Sequence, residues 1–297
     1  MTGEASPGYL PYPNVPDLIH TRLPGVRILM LGRNPLERMY SSYQYNYVSP
    51  TMDNMRKGRI RGILKDKDDE YYLSHLFSFE EMVVAELERL QECLNESNGT
   101  AVINAEKEWS KYDWVVQEIE RRKKSGLPRL VDIDGHCYGN RVSSKVLRKQ
   151  WSALQTKYPN KVIVDHNLHL IQSFIGRSLY ALPLEWWYAR MGDANIYFLC
   201  TEELSDVTGE GVARVARFLG LPAYNFSETV QKGAFNVGGH HGYDKEVSWD
   251  VIANDTHHAS VDKPIPLSDE VLQRVKAFLH PYNERLFHLT GRRCRGW

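Results

Sequence analysis

Val26-Arg27-Ile28-Leu29-Met30-Leu31-Gly32-Arg33-Asn34-Pro35-Leu36-Glu37-Arg38-Met39-Tyr40-Ser41-Ser42-Tyr43 decides how this chain is read. Val26 to Leu31 is an apolar run interrupted by one Arg, with the length and make-up of a buried strand in a parallel sheet. Gly32-Arg33 ends the run, and Asn34-Pro35 reads as a helix N-cap followed by proline at the first helical position. The chain therefore leaves the carboxyl end of a strand and enters a helix at once. Ligands bind at that edge of open α/β sheets, and a helix N-terminus favours an anion through its free N–H groups and dipole. Arg33 adds a forked cation at the turn, and Ser41 adds a hydroxyl two turns further on. A phosphate is the natural occupant of such a pocket; the plainer alternative is a surface Arg33 and a Ser41 that only fills a helix.

Around this stretch lies a chain of 297 residues, 42% of them hydrophobic, enough for a sizeable core. Lys plus Arg and Asp plus Glu balance at 37 each. Zero net charge argues against a nucleic-acid partner, which calls for a basic face, but leaves room for a local basic cleft. No run of about 20 apolar residues occurs, so no membrane-spanning helix is expected, and the N-terminus lacks a signal-peptide pattern. Four cysteines and four glycosylation sequons, at Asn95, Asn98, Asn225 and Asn254, lean towards the secretory pathway.

In chain order, Val15 to Leu23 reads as a short amphipathic piece and 43–78 as a polar excursion. The excursion carries Arg56, Lys57, Arg59, Arg61 and Lys65, either a solvated face or cations for an acidic sugar chain. Ser78-Phe79-Glu80-Glu81 is a capping box that opens a helix to about Leu94, and Trp109 to Lys124 is a helix with a basic end. A helix over 142–154 and a short strand over 161–164 follow, and 170–190 reads as mostly helical with Pro183 breaking or kinking it near its middle. Asn195 to Cys200 is a second buried strand, and the helix from Glu210 to Leu219 is closed by Gly220-Leu221-Pro222. Cys200, on the apolar run, reads as a buried free thiol, and Cys294 is left undecided. Leu267 to His280 is a helix broken at Pro281. The pairs His240-His241 and His257-His258 lack regular ligand spacing and a carboxylate partner, so no metal is expected.

Arg33-Asn34-Pro35-Leu36-Glu37-Arg38-Met39-Tyr40-Ser41-Ser42-Tyr43 also resembles the R-[DN]-P-x-x-R-x-x-S-x-Y signature of the Golgi carbohydrate sulfotransferases. Gly3-Glu4-Ala5-Ser6-Pro7-Gly8-Tyr9 is similar to the family's E-[KA]-[ST]-P-x-Y segment. The ending from His280-Pro281-Tyr282-Asn283 to Gly296-Trp297 is similar to its Y-R-P-F-N … L … G … W ending. The resemblance is strongest towards the N-acetylgalactosamine 4-sulfate 6-O-sulfotransferase and heparan sulfate sulfotransferase types. It implies an α/β fold with a P-loop-NTPase-like parallel sheet flanked by helices, as one sulfotransferase domain over 1–297.

It further implies that 3′-phosphoadenosine 5′-phosphosulfate (PAPS) is the donor, with Arg33 and Ser41 on its 3′-phosphate and Glu4 as general base. Lys232 or Lys245 would stand in for a Lys/Arg-Gly-Arg element of the donor clamp that is absent here. A Cys93–Cys137 disulfide, a chondroitin- or dermatan-sulfate-like glycosaminoglycan acceptor and the Golgi lumen belong to the same implication, with a type II membrane topology where the full chain carries an anchor. No G-x-x-x-x-G-K-[ST] or looser lysine loop occurs, so the fold is expected without its N-terminal strand and P-loop, as though the chain began after them. The alternative is a catalytically impaired glycan- or nucleotide-binding remnant of such an enzyme.

Overall fold

The computed structural model describes residues 3–5, 8–10, 15–96, 113–126, 152–162, 173–204, 209–235, 246–248 and 264–297. Cys137, Asn98, Asn254, Lys245 and both histidine pairs fall outside them, as do the side chains of Cys93 and Asn95. The expected Cys93–Cys137 bridge therefore lies outside the described residues.

The chain is mixed α/β and mostly helical. In order come α1 (Val15–Arg22), β1 (Ile28–Gly32), α2 (Pro35–Tyr43), a π-helical turn (Gln44–Val48), α3 (Ser49–Arg56), α4 (Asp69–Ser74), α5 (Phe79–Glu96) and α6 (Asp113–Lys124). There follow α7 (Ala181–Met191), β2 (Ile196–Cys200), a 3₁₀ turn (Thr201–Glu203), α8 (Glu210–Leu219), α9 (Ser227–Lys232), β3 (Ala234–Phe235), β4 (Glu246–Val247) and α10 (Asp269–Thr290). Two compact units divide the chain: 1–37 with 180–264 and 281–297, and 38–179 with 265–280.

The first unit is built on a parallel β1–β2 pair in the register Ile28↔Ile196, Met30↔Phe198, Gly32↔Cys200. Parallel pairing requires a crossover, and here the crossover includes the whole segment from Arg33 to Asn195. Met30, Ile196, Phe198 and Cys200 point into one apolar cluster, closed by Leu184, Trp187 and Met191 of α7 and by Leu286 and Phe287 of α10. Leu10, Val15 and Ile19 pack on the same cluster, and Trp187 Nε1 donates to the Leu10 carbonyl at 3.2 Å. On the opposite face Tyr197 stacks on Phe218 of α8 at 5.2 Å, whereas Leu29 and Leu31 of β1 are 38% and 49% exposed. The pair β3–β4 is antiparallel.

The second unit has an aromatic centre fastened by tyrosine hydroxyls. Tyr43 Oη donates to the Phe77 carbonyl at 2.8 Å, and Tyr47 Oη accepts from the Phe77 N–H at 2.9 Å while donating to the Val162 carbonyl at 2.8 Å. Burial pushes both phenols well above their ordinary range. The capping box is present as expected: Glu81 N donates to Ser78 Oγ at 3.1 Å and Ser78 N to Glu81 Oε2 at 2.7 Å. Buried Glu86 accepts from the Ile175 and Gly176 N–H groups at 3.0 Å each, and desolvation raises its pKa.

Three expectations need correction. Cys200 is no free thiol: it is bridged to Cys294, because the C-terminal segment folds back onto the carboxyl end of β2. Pro183 does not break a long helix; it sits in the first turn of α7, where a missing N–H costs nothing. Pro281 lies inside α10. An interior proline costs about 3 kcal/mol, but Leu279 before it and Leu286 and Phe287 after it are buried, each contributing roughly 1.5–3 kcal/mol. The polar excursion is helical as far as Arg56 and again over Asp69–Ser74, and the Tyr43 and Tyr47 anchors hold its first part, which its own periodicity does not mark. No helix among the described residues is long and apolar enough to cross a membrane.

Candidate functional site

Because β1 and β2 are parallel and in register, their carboxyl ends lie side by side, with Gly32 opposite Cys200. The turn after β1 (Arg33, Asn34) and the 3₁₀ turn after β2 (Thr201–Glu203) therefore share one edge of the first unit. Gly32 is required there for close approach. A Cβ on it would run into the Phe198 ring and would stand 2.9 Å from Trp297 Cη2.

Asn34 caps α2 as its sequence suggests: its Oδ1 accepts from Leu36 N at 3.0 Å. Its own N–H donates to Glu202 Oε1 at 2.9 Å, and its Nδ2 donates to the Gly296 carbonyl at 2.8 Å. Trp297 Nε1 donates to the same Glu202 oxygen at 3.0 Å. The final tryptophan is further held against Tyr180, Phe198 and Phe287, with ring centroids at 5.5, 6.4 and 6.2 Å. The neighbouring Glu203 Oε2 accepts from Arg214 Nη2 at 2.5 Å and from Arg292 Nη2 at 2.7 Å. Glu202 and Glu203 thus tie the strand end to the C-terminal tail and to α8.

Arg33 is partly exposed. Its N–H points at Tyr180 Oη at 3.4 Å, and its Nε donates to Glu37 Oε2 at 3.2 Å, one turn along α2. Glu37 has only 13% of its side chain exposed. Burial raises its pKa; Arg33 draws it down, Glu202 pushes it up, and the balance is a net rise. Two N–H groups at this helix start thus already have acceptors in the chain: Glu202 for Asn34 and the Asn34 side chain for Leu36.

Of the other expected site residues, Ser41 is half-buried on α2 and belongs to the second unit. Glu4 is exposed in the first unit and accepts from Tyr9 Oη at 2.7 Å. Lys232 is exposed at the end of α9. Asn225 is exposed, and its Oδ1 accepts from Ser227 N at 3.1 Å and Ser227 Oγ at 2.8 Å, the sequon's own residues. Within the signature, Arg38 and Tyr43 serve packing in the second unit: Arg38 Nε donates to Ser178 Oγ at 2.9 Å and its Nη2 to the Phe174 carbonyl at 3.1 Å. Basic residues of 56–65 are partly spent on neighbours, with Arg56 on Asp69 at 2.5 Å and Lys57 on Asp53 at 2.6 Å.

Glu37, Glu202 and Trp297 are the residues that pattern reading did not assign to the site. The Arg33–Glu37 spacing of four was a legible signal; the Glu202 and Trp297 contacts join segments far apart in sequence and were not. No family model matches this chain.

Proposed function

We propose that the chain is a PAPS-dependent carbohydrate O-sulfotransferase of P-loop-NTPase-like fold that acts on a chondroitin- or dermatan-sulfate-like glycosaminoglycan in the Golgi lumen. The observation that carries the reading is Arg33 at the carboxyl end of β1, where a parallel strand passes directly into the Asn34-capped helix α2. In this reading the Arg33 guanidinium takes the donor's 3′-phosphate with a forked, charge-assisted contact. The sulfuryl group passes in line from PAPS to a sugar hydroxyl. Its S–O bond to the phosphate breaks as the new S–O bond forms, adenosine 3′,5′-bisphosphate leaves, and the Glu4 carboxylate accepts the hydroxyl proton. Lys232 or Lys245 supplies a cation to the donor. Catalysis of such a transfer is positioning plus charge stabilisation.

The test is the affinity of the chain for adenosine 3′,5′-bisphosphate before and after Arg33→Ala, with the thermal midpoint as a check on folding. Losing a charged, forked contact is expected to weaken binding roughly 10- to 150-fold. Equal affinities for parent and variant would refute the assignment of Arg33.

A further inference from the structure

The contact between Arg33 and Glu37 has a consequence for any anion that Arg33 binds. Arg33 Nε donates to Glu37 Oε2 at 3.2 Å, and 27% of the Arg33 side chain remains exposed against 13% for Glu37. Arg33 stands in the turn just before α2 and Glu37 in the first turn of that helix, four residues on, so the pair is local in sequence. Carboxylate and phosphate oxygens both accept charge-assisted N–H···O bonds from a guanidinium, so the two compete for the same donors. We propose that Glu37 is a built-in competitor, an internal carboxylate that occupies the Arg33 guanidinium and must be displaced by the 3′-phosphate of the donor nucleotide. This inference rests on the donor reading given above and adds to it a regulation of the same site.

The surroundings of Glu37 set the direction of the pH effect. The charged groups acting on it are Arg33 from the turn before α2 and Glu202 from the 3₁₀ turn after β2. Burial and the Glu202 carboxylate favour the neutral acid, Arg33 favours the anion, and the net pKa is above the ordinary carboxylate value. As pH falls through that raised pKa, Glu37 takes up a proton and its competition for the Arg33 guanidinium weakens. Above it, Glu37 is ionised and holds Arg33. The ligand titrates too: a phosphate monoester loses its second charge near a pKa of about 6, which opposes the gain. The ratio of variant to parent affinity removes the ligand's own titration, since the ligand is common to both.

Calorimetric titration with adenosine 3′,5′-bisphosphate between pH 5 and 8, on the parent chain and on Glu37→Gln, decides the matter. Glu37→Gln is expected to bind about 3- to 10-fold more tightly than the parent at pH 8. That advantage should shrink towards one as pH falls and the parent's Glu37 is neutralised. Glu37→Asp keeps the charge but draws it back by one methylene, so its affinity should lie between the two, and thermal midpoints of all three chains check that folding is unchanged. Parent-like or weaker binding by Glu37→Gln at pH 8, or an advantage that does not vary with pH, overturns the competitor while leaving the donor reading intact if Arg33→Ala still weakens binding. Absence of binding by both the parent and Glu37→Gln at every pH overturns the donor reading and the competitor with it.

Discussion

Sulfate transfer by the 297-residue chain alone is expected to run about 10²- to 10³-fold below that of the same chain fused to a lysine-bearing phosphate loop. The transferred group spreads charge over its equatorial oxygens and the bridging oxygen of the leaving phosphate. A cation placed in advance at those oxygens is worth several kcal/mol. The 297 residues contain no G-x-x-x-x-G-K-[ST] motif to supply one. Arg33 does not fill the gap, because in the proposed reading it serves the 3′-phosphate, at the other end of the nucleotide. The exposed Leu29 and Leu31 face of β1 is a suitable place for an added strand and helix. Covering it should raise solubility as well as rate. The assay is radiolabelled sulfate transfer to chondroitin by the chain with and without the fused loop. Equal rates would show that another cation serves, and His240, His241 and Lys245 would then be the residues to substitute.

Replacing Cys200 and Cys294 together by Ser is expected to cost the first unit roughly 4–5 kcal/mol on the chain-entropy model, for a sequence separation of 94. Both residues are buried in the apolar cluster with Met30, Phe198 and Leu286, so two hydroxyls would also enter a site without evident partners. The loss should be visible at the site, since Cys294 is three residues from the Trp297 that donates to Glu202. Urea unfolding followed by tryptophan fluorescence measures it, with the oxidised parent, the parent under reductant and the double variant compared. The double variant should fall well below the oxidised parent, and the reduced parent should be no more stable than the double variant. An unchanged midpoint in all three would mean that the bridge adds nothing to stability.

What the sequence discloses about this fold is what is local. The apolar run ending at Gly32, the Asn34-Pro35 start and the Gly220 stop each rest on neighbouring residues, and β1, α2 and α8 follow them closely. The Ser78 capping box is equally self-contained. Pro281 misleads because the local penalty is outweighed by burial of Leu279, Leu286 and Phe287, which only the folded chain supplies. Cys200 misleads for the same reason: an apolar strand gives no hint that a cysteine 94 residues away returns to its end. At the site, Arg33 and the helix cap were legible. That Glu202 takes the Asn34 N–H, and that the final tryptophan joins it, depends on the parallel register of β1 and β2, which no single stretch encodes.

The central claim is that this chain holds the 3′-phosphate of a phosphoadenosine donor. Equilibrium binding of adenosine 3′,5′-bisphosphate against adenosine 5′-monophosphate, on the parent chain at one pH and salt concentration, tests it most directly. The two ligands differ only in the 3′-phosphate, so their affinity ratio isolates that group. The account predicts a preference of at least about tenfold for the bisphosphate, the size of one charge-assisted contact. Equal affinity for the two nucleotides, or no binding of either, would contradict it.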